Sequence, residues 1–403
     1  HYFAIEKGDT MVQQVKEAEF GWFLPTAGDG RYVGIKPERA PTLDYLIQVA
    51  QTAERAGFTF ALIPTSGVCR DAWVVGSAVM AHTRTLCPLV ALRPGLISPV
   101  LAARMAAALD ELSGGRARIN IVTGSSVQDL IELGDPLAEQ HDERYVRTKE
   151  FMHALKSVWT NTEAPGVSSE FSGAADNQRK PVIEGKYYSI QAGTCFPKPV
   201  QKPHPPLYFG GSSKIGKETA AAYADVYLMW GEPVPWIREQ IEEMEGILKA
   251  LNETQGIERS LQYGLRAQVL IRDTEEEAWK AAWDIISKAD PALIEKARAE
   301  FARTDATNQR RQNELREQSA KNDFVVGPNL WMGLSLLRSG GAILLVGTAD
   351  QVTDRLMEYV DIGISKFILS GYPHLEEVEI FGREAMPLLK RKLAERNIQL
   401  IGG

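Results

Sequence analysis

Two residues suited to proton chemistry flank Pro373 in the segment Ser370–Glu377. Tyr372 can donate a proton or a hydrogen bond, and His374 can exchange a proton near neutral pH. The alternative role for His374 is structural, as a cap for the helix that the following residues predict. We expect the segment Ser370–Glu377 to form part of an active site.

Arg266 and Gln268 lie two residues apart in the mostly apolar segment Gly264–Ile271. Successive side chains of a strand alternate between its two faces, so this spacing places both on the same face. Arginine is rarely buried without a partner. Arg266 therefore either forms a salt bridge with a neighbouring carboxylate or binds an anionic substrate or intermediate.

The sequence Gly-Gly-Ser-Ser at 210–213 follows another apolar segment and precedes a helical pattern. Backbone N–H groups and hydroxyls at a helix N-terminus are suited to binding phosphate. Gly–Ser pairs also form ordinary turns and helix caps. Ser212 and Ser213 are therefore candidates for a phosphate site or for a simple cap.

Cys69 and Trp230 each have two interpretations. Cys69 is either a small buried hydrophobe or a polar residue of its strand-end loop. Trp230 is either part of the core or a wall of a pocket for a planar ligand.

Several common catalytic motifs are missing from the sequence. It contains no HxH, HExxH or paired CxxC motif, so we expect no metal site. It contains no GxSxG elbow. No GxGxxG follows the first predicted strand, which argues against a Rossmann nicotinamide site.

The elements that must position these residues alternate between short apolar strands and helices. The predicted strands are Phe20–Pro25, Phe58–Pro64, Leu89–Leu92, Arg116–Thr123, Pro206–Gly210, Ala224–Trp230, Gly264–Ile271 and Lys366–Gly371. The predicted helices are Leu43–Ala56, Asp71–His82, Pro99–Leu112, Lys214–Tyr223, Trp236–Leu251 and Glu376–Ala394. Strand–helix alternation indicates parallel pairing with helices covering the sheet, and eight strands close a barrel. We predict an α/β fold, a (β/α)8 TIM barrel whose active site lies where the strands end.

Two stretches interrupt this alternation. Asn161–Tyr188 is rich in Gly, Ser, Pro and Asn, and Thr274–Arg338 contains the strongly polar part Glu300–Lys321. Long loops in compact domains are commonly functional lids or disordered segments. We interpret residues 1–10, which precede Met11, as an expression remnant and assign 11–403 to one barrel domain.

Composition excludes several classes of partner. The formal net charge is −7 and no basic tract occurs, so nucleic acid is not an expected partner. No apolar run of about 18 residues is present, so we expect no membrane span. Three cysteines without a CxxC pair suit a reducing compartment, and we expect the cytoplasm.

The motifs as a set resemble the flavin-dependent alkanesulfonate monooxygenases of the bacterial-luciferase-like superfamily. They occur in family order from about Phe20 to Leu389. The motifs are FGWFLPTAGDGRYVG, LIPTSGVCRDAW, ALRPGLISP, ELSGGRARINIVTGS, HDERY, PPLYFGGSS, YLMWGEP, FARTD, PNLW, LLVGT and SGYPHLEE.

The resemblance implies a two-component enzyme. A separate NAD(P)H-dependent flavin reductase would supply reduced FMN, and O2 would be the co-substrate. An organosulfonate would be cleaved to sulfite and a carbonyl product. The family also implies a homodimer or homotetramer. In such an enzyme the flavin performs the redox chemistry. The protein positions the flavin and the substrate, provides the electrostatic environment and excludes water from the site.

The resemblance also implies roles for individual residues. Cys69 matches an active-site cysteine beside the flavin, and Arg266 an arginine that holds charge on the reacting groups. Arg303 matches an arginine of a mobile lid, and Tyr372 and His374 match the Tyr and His of the SGYPH segment. The flavin-contact motifs match Asn120, Thr123, Arg144, Tyr145, Ser212 and Ser213, and Trp230 matches a pocket wall.

Two positions depart from the family pattern. Ala27 stands in TAGDG where the family has THGDG, and Gln268 stands where the family has the histidine of RLHV. Gln268 can donate and accept hydrogen bonds but cannot titrate. His374 is therefore the remaining imidazole of the predicted pocket. Together with the long stretch Asn161–Lys186, these changes suggest a pocket for a bulky, hydroxylated sulfonate. Our hypothesis is a sugar sulfonate such as sulfoquinovose.

Other functions remain compatible with the sequence. A related monooxygenase would act on simple alkanesulfonates, such as methanesulfonate or longer chains, or on another sulfur or amine compound. A non-redox barrel lyase would act on an anionic sugar and bind no reduced FMN. A flavin-sequestering or reductase-docking protein would bind FMN without releasing sulfite.

Overall fold

The computed structural model describes residues 14–124, 126–161, 183–190 and 196–402. Eight parallel strands in these residues form the barrel. They are β1 Glu17–Phe23, β2 Phe60–Ile63, β3 Cys87–Leu92, β4 Arg118–Ile121, β5 Leu207–Phe209, β6 Val226–Trp230, β7 Gln262–Ile271 and β8 Ile364–Ser370. Each pairs with the next, and β8 pairs with β1 to close the cylinder. The predicted TIM barrel is confirmed, and each predicted strand overlaps one of the eight.

Helices cover the barrel between its strands. Their bounds are α1 Leu43–Arg55, α2 Ala72–His82, α3 Pro99–Leu112, α4 Val127–Glu132, α5 His141–Thr160, α6 Lys214–Tyr223, α7 Val234–Gln255, α8 Glu275–Ile285, α9 Pro291–Phe301, α10 Thr307–Ser319, α11 Ala349–Asp361, α12 His374–Ile380 and α13 Met386–Ala394. Side chains of Thr42, Asp71 and Ser213 accept hydrogen bonds from the first turns of α1, α2 and α6, which fixes where these helices begin. A π-turn at Phe381–Ala385 joins α12 to α13 within the single helix predicted there.

β7 is the longest barrel strand and extends beyond its neighbour β6. Its residues up to Arg266 pair with β6, whereas those from Gln268 onward pair with the parallel strand Leu344–Gly347. The antiparallel segments Leu330–Trp331 and Val325–Gly327 continue this extension. The strand Leu344–Gly347 was not among the predicted strands.

Most of the polar stretch Glu300–Lys321, which was predicted to be mobile, forms α10. Within α10, Gln312, Leu315 and Arg316 are buried. Residues 1–10 and 162–182 lie outside the described residues. At the end of the stretch Asn161–Tyr188, the segment Ile183–Glu184 forms a short hairpin with Ser189–Ile190.

A charged cluster fills the end of the barrel opposite the strand ends discussed below. Glu19 is buried and contacts Arg118 and Lys366. Burial alone would raise the pKa of Glu19, but the two cations lower it to about 2. In the described part of the chain, no helix is long and apolar enough to cross a bilayer.

Candidate active site

A cavity of about 380 Å³ lies at the carboxyl ends of the barrel strands. This is where the active sites of TIM-barrel enzymes lie. The sequence-predicted residues that line it are Cys69, Asn120, Thr123, Tyr145, Trp230 and Arg266. A larger cleft of about 650 Å³ lies beside α8 and contains none of the predicted site residues.

Strand register brings the cavity residues of three strands to one level. Trp230 of β6 is paired with Arg266 of β7, and Arg266 is paired with Ile368 of β8. All three side chains line the cavity. Phe23, the last residue of β1, completes this wall, and the guanidinium of Arg266 lies 4.6 Å from the centroid of its ring.

Arg266 is 6% exposed and forms no salt bridge within the described residues. Nη1 donates to the carbonyl of Ala267 at 2.7 Å, and Nη2 donates to Oγ of Ser370 at 2.9 Å. Burial and then the neighbouring Arg338 lower the pKa of Arg266, while Tyr372 opposes them. The sequence left two roles for Arg266, a salt bridge or the binding of an anion. The described residues include no carboxylate that pairs with Arg266 in a salt bridge.

Sequence reasoning missed Arg338 as a cavity residue. Its Nε donates to the hydroxyl of Tyr372 at 2.7 Å, and its Nη1 donates to the carbonyl of Gly341 at 3.1 Å. It forms no salt bridge within the described part of the chain. A Cβ on Gly341 would lie 3.1 Å from Cγ of Arg266, so the absence of a side chain there allows the loop to approach the strand closely.

Gln268 is fully buried and does not line the cavity. Its Nε2 donates to the carbonyl of Gly341, and its Oε1 accepts from Oγ of Ser370 at 2.7 Å. Both ends of the amide are therefore engaged by protein groups. Ala27, the other departure from the family pattern, does not line the cavity either.

His374 does not line the cavity itself but packs against Phe23, which does. Its Nδ1 is 2.8 Å from Oδ1 of Asp29, and its ring centroid is 5.7 Å from that of Phe23. Burial raises the pKa of Asp29, but His374 and the hydroxyl of Tyr45 outweigh burial and lower it. Nε2 of His374 is buried without a hydrogen-bond partner. The predicted alternative, His374 as a cap of α12, is wrong: the N-cap is Pro373, and the backbone N–H of His374 itself donates to the carboxylate of Asp29.

The N-terminus of α6 adjoins the cavity at Gly210. Ser213 caps the helix by accepting from the N–H of Gly216 at 3.2 Å, whereas Oγ of Ser212 is buried without a partner. Burial raises the pKa of Tyr145, and a hydrogen bond with Ser213 opposes this. Ser213 is thus a cap, whereas neither serine lines the cavity and the hydroxyl of Ser212 has no hydrogen-bond partner among the described residues.

The segment between α9 and α10 lines part of the cavity with Ala306, and the first turn of α10 adds Asn308. Asp305 anchors this segment because it accepts from Nη2 of the fully buried Arg144 at 2.7 Å. Arg303, on the same segment, is exposed and does not line the cavity.

The remaining wall contains small polar groups and one ion pair. Oγ of Ser66 lies 3.1 Å from Sγ of Cys69, and the hydroxyls of Thr123 and Thr148 are 3.2 Å apart. Arg93 contacts Asp129, but its Nε and Nη1 have no hydrogen-bond partners. The described residues contain no cluster of His, Cys, Asp and Glu that could hold a metal ion.

Residues 18–366 match the sequence profile of the luciferase-like monooxygenases. The chain belongs to this family. The match runs from the second residue of β1 to the third residue of β8, so Ile368, Ser370, Tyr372 and His374 lie beyond it.

Solved structures agree with the family fold. A riboflavin lyase bound to modified FMN and riboflavin has a TM-score of 0.72 and 21% identity, over 95% of this chain and 93% of that chain. The EDTA monooxygenase of Chelativorans sp. BNC1 has a TM-score of 0.71 and 20% identity, over 94% of each chain. The oxygenating component of 3,6-diketocamphane monooxygenase from Pseudomonas putida, in complex with FMN, has a TM-score of 0.62 and 17% identity, over 95% of this chain and 99% of that chain. At these identities the likeness establishes the fold.

Proposed function

We propose that the chain is a reduced-FMN-dependent monooxygenase that cleaves the carbon–sulfur bond of an organosulfonate. The observation that carries this proposal is Arg266, a buried cation without a carboxylate partner in the described residues, at the strand-end cavity of a luciferase-like monooxygenase. Removing the partner of a buried ion pair costs about 3–5 kcal/mol, so an anionic ligand at Arg266 would relieve a substantial penalty. A sulfonate offers three acceptor oxygens and suits a permanently charged guanidinium.

The residues around the cavity fit a flavin mononucleotide. A volume of about 380 Å³ lies within the range of roughly 300–1,000 Å³ common for small-molecule sites. The unpartnered hydroxyl of Ser212 at the N-terminus of α6 fits a phosphate. A Cβ on Gly211 would lie 2.9 Å from the hydroxyl of Tyr145, so a glycine keeps this approach open.

We assign flavin binding to the residues at the ends of β4 and β5 and to α5. These are Asn120, Thr123, Arg144, Tyr145, Ser212 and Ser213. When bound, FMNH2 supplies the two electrons that reduce one atom of O2 to water while the other atom enters the product. The overall reaction balances as R–CH2–SO3⁻ + O2 + FMNH2 giving R–CHO + HSO3⁻ + FMN + H2O.

The other site residues would bind substrate, exclude water or hold protons. Arg266 would bind the sulfonate, Trp230 would form the apolar wall, and Cys69 would lie beside the flavin. Arg303 would contact the substrate when the segment between α9 and α10 closes. Exclusion of water from such a site prevents loss of the activated oxygen.

Two positions behind the wall complete the proposed site. Tyr372 would position cavity groups through its hydroxyl, and His374, paired with Asp29, would hold the proton that is exchanged during turnover. We further propose that the enzyme obtains FMNH2 from a separate NAD(P)H-dependent reductase and works as a homodimer or homotetramer.

The experiment is sulfite release by the purified chain, supplied with O2, FMN, NADH and a flavin reductase. The panel contains sulfoquinovose, methanesulfonate and hexanesulfonate, with reductase alone and Arg266→Met as controls. We expect sulfite to depend on the chain and on Arg266, with sulfoquinovose preferred. Preference for an alkyl substrate would refute the hypothesis that the substrate is a sugar sulfonate, but it would be consistent with a monooxygenase. FMN binding without sulfite would favour a sequestering protein, and no FMN binding would favour a lyase.

A further inference from the structure

Asp29 is a buried carboxylate that makes four hydrogen bonds beside His374. Its Oδ1 accepts from the N–H of Gly30 at 2.9 Å and lies 2.8 Å from Nδ1 of His374. Its Oδ2 accepts from the N–H of His374 at 2.8 Å and from the hydroxyl of Tyr45. Two of the four contacts come from the backbone, so the carboxylate is held in one orientation against the imidazole.

These contacts define the tautomer of His374. Burial alone would raise the pKa of Asp29, but His374, Tyr45 and Gly30 together lower it. An ionised carboxylate only accepts hydrogen bonds, so the proton shared with Asp29 lies on Nδ1 of the imidazole. Nε2, which is buried without a hydrogen-bond partner, is then the nitrogen that gains and loses a proton.

The hydroxyl of Tyr45 connects Asp29 to an ion pair at the surface. It accepts from Nη1 of Arg39 at 3.1 Å, and Arg39 donates twice to the carboxylate of Glu376, at 2.8 and 2.5 Å. The side chains of Arg39 and Glu376 are 37% and 44% exposed. Glu376 lies two residues after His374 in α12, so these contacts close a ring that begins and ends on that helix.

Tyr45 remains a phenol that donates to Asp29. Burial and then Asp29 raise the pKa of Tyr45, while Arg39 opposes them. Because the hydroxyl accepts from Arg39, it is a stronger donor to Asp29, since hydrogen bonds in a chain polarise one another. The loop that carries Arg39 is also fixed, because Asp29 and Arg39 exchange backbone hydrogen bonds at 3.0 and 2.8 Å.

The other charged and titratable groups around His374 have contacts of their own. In the described part of the chain, His374 and Tyr45 are the side chains that hydrogen-bond to Asp29. The remaining neighbours, each with its contact, are Glu38 with the N–H of Arg31, Glu377 with Arg272, Tyr372 with Arg338, and Arg266 with the ring of Phe23. The charge that directly contacts the imidazole is therefore that of Asp29, which Tyr45 modifies.

We propose that Tyr45 is a positioning residue that sets how strongly His374 holds a proton on Nε2. An ionised Asp29 favours the imidazolium, and the hydrogen bond from Tyr45 weakens this effect because it stabilises the carboxylate's negative charge. Without the hydroxyl, Asp29 would be a stronger base, and the imidazole would keep its proton to higher pH. This inference rests on the proposed function in taking His374 to be the group that exchanges a proton during turnover.

The test is an NMR titration of the flavin-free chain, labelled with ¹³C at Cε1 of histidine. His374→Gln identifies the signal of His374 among the six histidines. The variants are Tyr45→Phe, Arg39→Met and Asp29→Asn. The matched control is Tyr32→Phe, which removes the hydroxyl of a half-buried tyrosine in the same loop as Arg39. Circular dichroism melts establish that each variant folds.

We expect Tyr45→Phe to raise the midpoint of the His374 titration by about 0.5–1 pH unit, roughly a three- to tenfold gain in proton affinity. Asp29→Asn should lower the midpoint, because it removes the charge that favours the imidazolium. A loosened fold would instead move both variants in the same direction. Tyr32→Phe should match the wild type. A midpoint that Tyr45→Phe leaves unchanged, including an imidazole that does not titrate, would overturn the proposal, as would shifts of the same sign in Tyr45→Phe and Asp29→Asn.

Arg39 should act through the hydroxyl of Tyr45. Arg39→Met should raise the midpoint less than Tyr45→Phe does, because it weakens the hydrogen bond to Asp29 without removing it. In the Tyr45→Phe background the same substitution should add little. Equal shifts in the two backgrounds would refute the connection between Arg39 and the imidazole.

The pH profile of kcat for sulfite release separates this inference from the proposed function. If His374 exchanges the proton, Tyr45→Phe should move one limb of the profile to higher pH by the same amount as the NMR midpoint, with little change in KM. An NMR shift without any sulfite release, or with an unmoved kcat profile, would uphold the role of Tyr45 and refute the proposed function or its assignment of the proton to His374. Sulfite release with an unmoved NMR midpoint would overturn this inference and be consistent with the proposed function.

Discussion

The hydroxyl of Tyr372 accepts a hydrogen bond from Nε of Arg338 at 2.7 Å. Tyr372 follows β8 directly, whereas Arg338 comes from the loop before the outer strand Leu344–Gly347. This contact fixes a cavity arginine against the barrel. It gives Tyr372 a role in orienting a cation, which the family resemblance alone did not specify.

Tyr372→Phe keeps the ring and removes the acceptor for Arg338. Loss of a hydrogen bond to a charged group costs about 1.5–3 kcal/mol, so we expect the sulfonate KM to rise roughly tenfold or more with a smaller change in kcat. Steady-state sulfite release measures both constants. A large fall in kcat at unchanged KM would show instead that the hydroxyl takes part in proton transfer.

His374→Ala should lower kcat more than Gln268→Ala does. Removing the imidazole deprives the buried Asp29 carboxylate of its partner and removes the group proposed to hold a proton. Gln268 cannot titrate, and both ends of its amide contact protein groups. Side-by-side kinetics with the preferred sulfonate would check this order, and the reverse order would mean that the proton chemistry is misplaced.

Asp305→Asn should uncouple flavin oxidation from sulfite release. The substitution removes the charge that pairs with buried Arg144 and loosens the segment that covers the cavity, so water can enter. We expect less sulfite and more hydrogen peroxide for each NADH consumed. Glu314→Gln, on the exposed face of α10, is the control and should leave the ratio unchanged. Equal ratios in Asp305→Asn and the wild type would argue against a sealing role.

The contacts of Glu19 with Arg118 and Lys366 should make the stability of the fold depend on pH in the acidic range. The pKa of Glu19 is about 2 in the folded chain against an ordinary value of 4.5, so its contribution is complete above pH 4.5 and is lost as pH falls toward 2. The shift corresponds to about 3 kcal/mol. Glu19→Gln should therefore lower the melting temperature clearly at pH 7 and less at pH 3.5. A difference independent of pH would contradict this assignment.

The barrel and part of its site could be predicted from local patterns. The eight apolar segments locate the strands, and residues at the strand ends, such as Cys69 and Trp230, reach the cavity because parallel strands end on one side. The position of Arg266 at the cavity was predicted from its place on a strand in the same way. These inferences need only the periodicity of a strand and the geometry common to all such barrels.

The rest depended on how distant segments pack. Gln268 shares a face with Arg266, yet β7 has passed the barrel rim at this point, where the loop at Gly341 covers that face. Arg338 lies in a loop whose direction is set only when the strand Leu344–Gly347 pairs with β7. The depth of His374 depends in turn on its contact with Asp29, more than 300 residues earlier in the chain.

A single-turnover experiment tests the central claim most directly. The chain is loaded anaerobically with a known amount of FMNH2, mixed with O2 and excess sulfoquinovose, and the sulfite formed is counted against the flavin oxidised. The proposed reaction predicts close to one sulfite for each FMNH2, and Arg266→Met should give almost none while its flavin is still oxidised. Complete flavin oxidation by the wild type without sulfite from any sulfonate of the panel would contradict the proposed function.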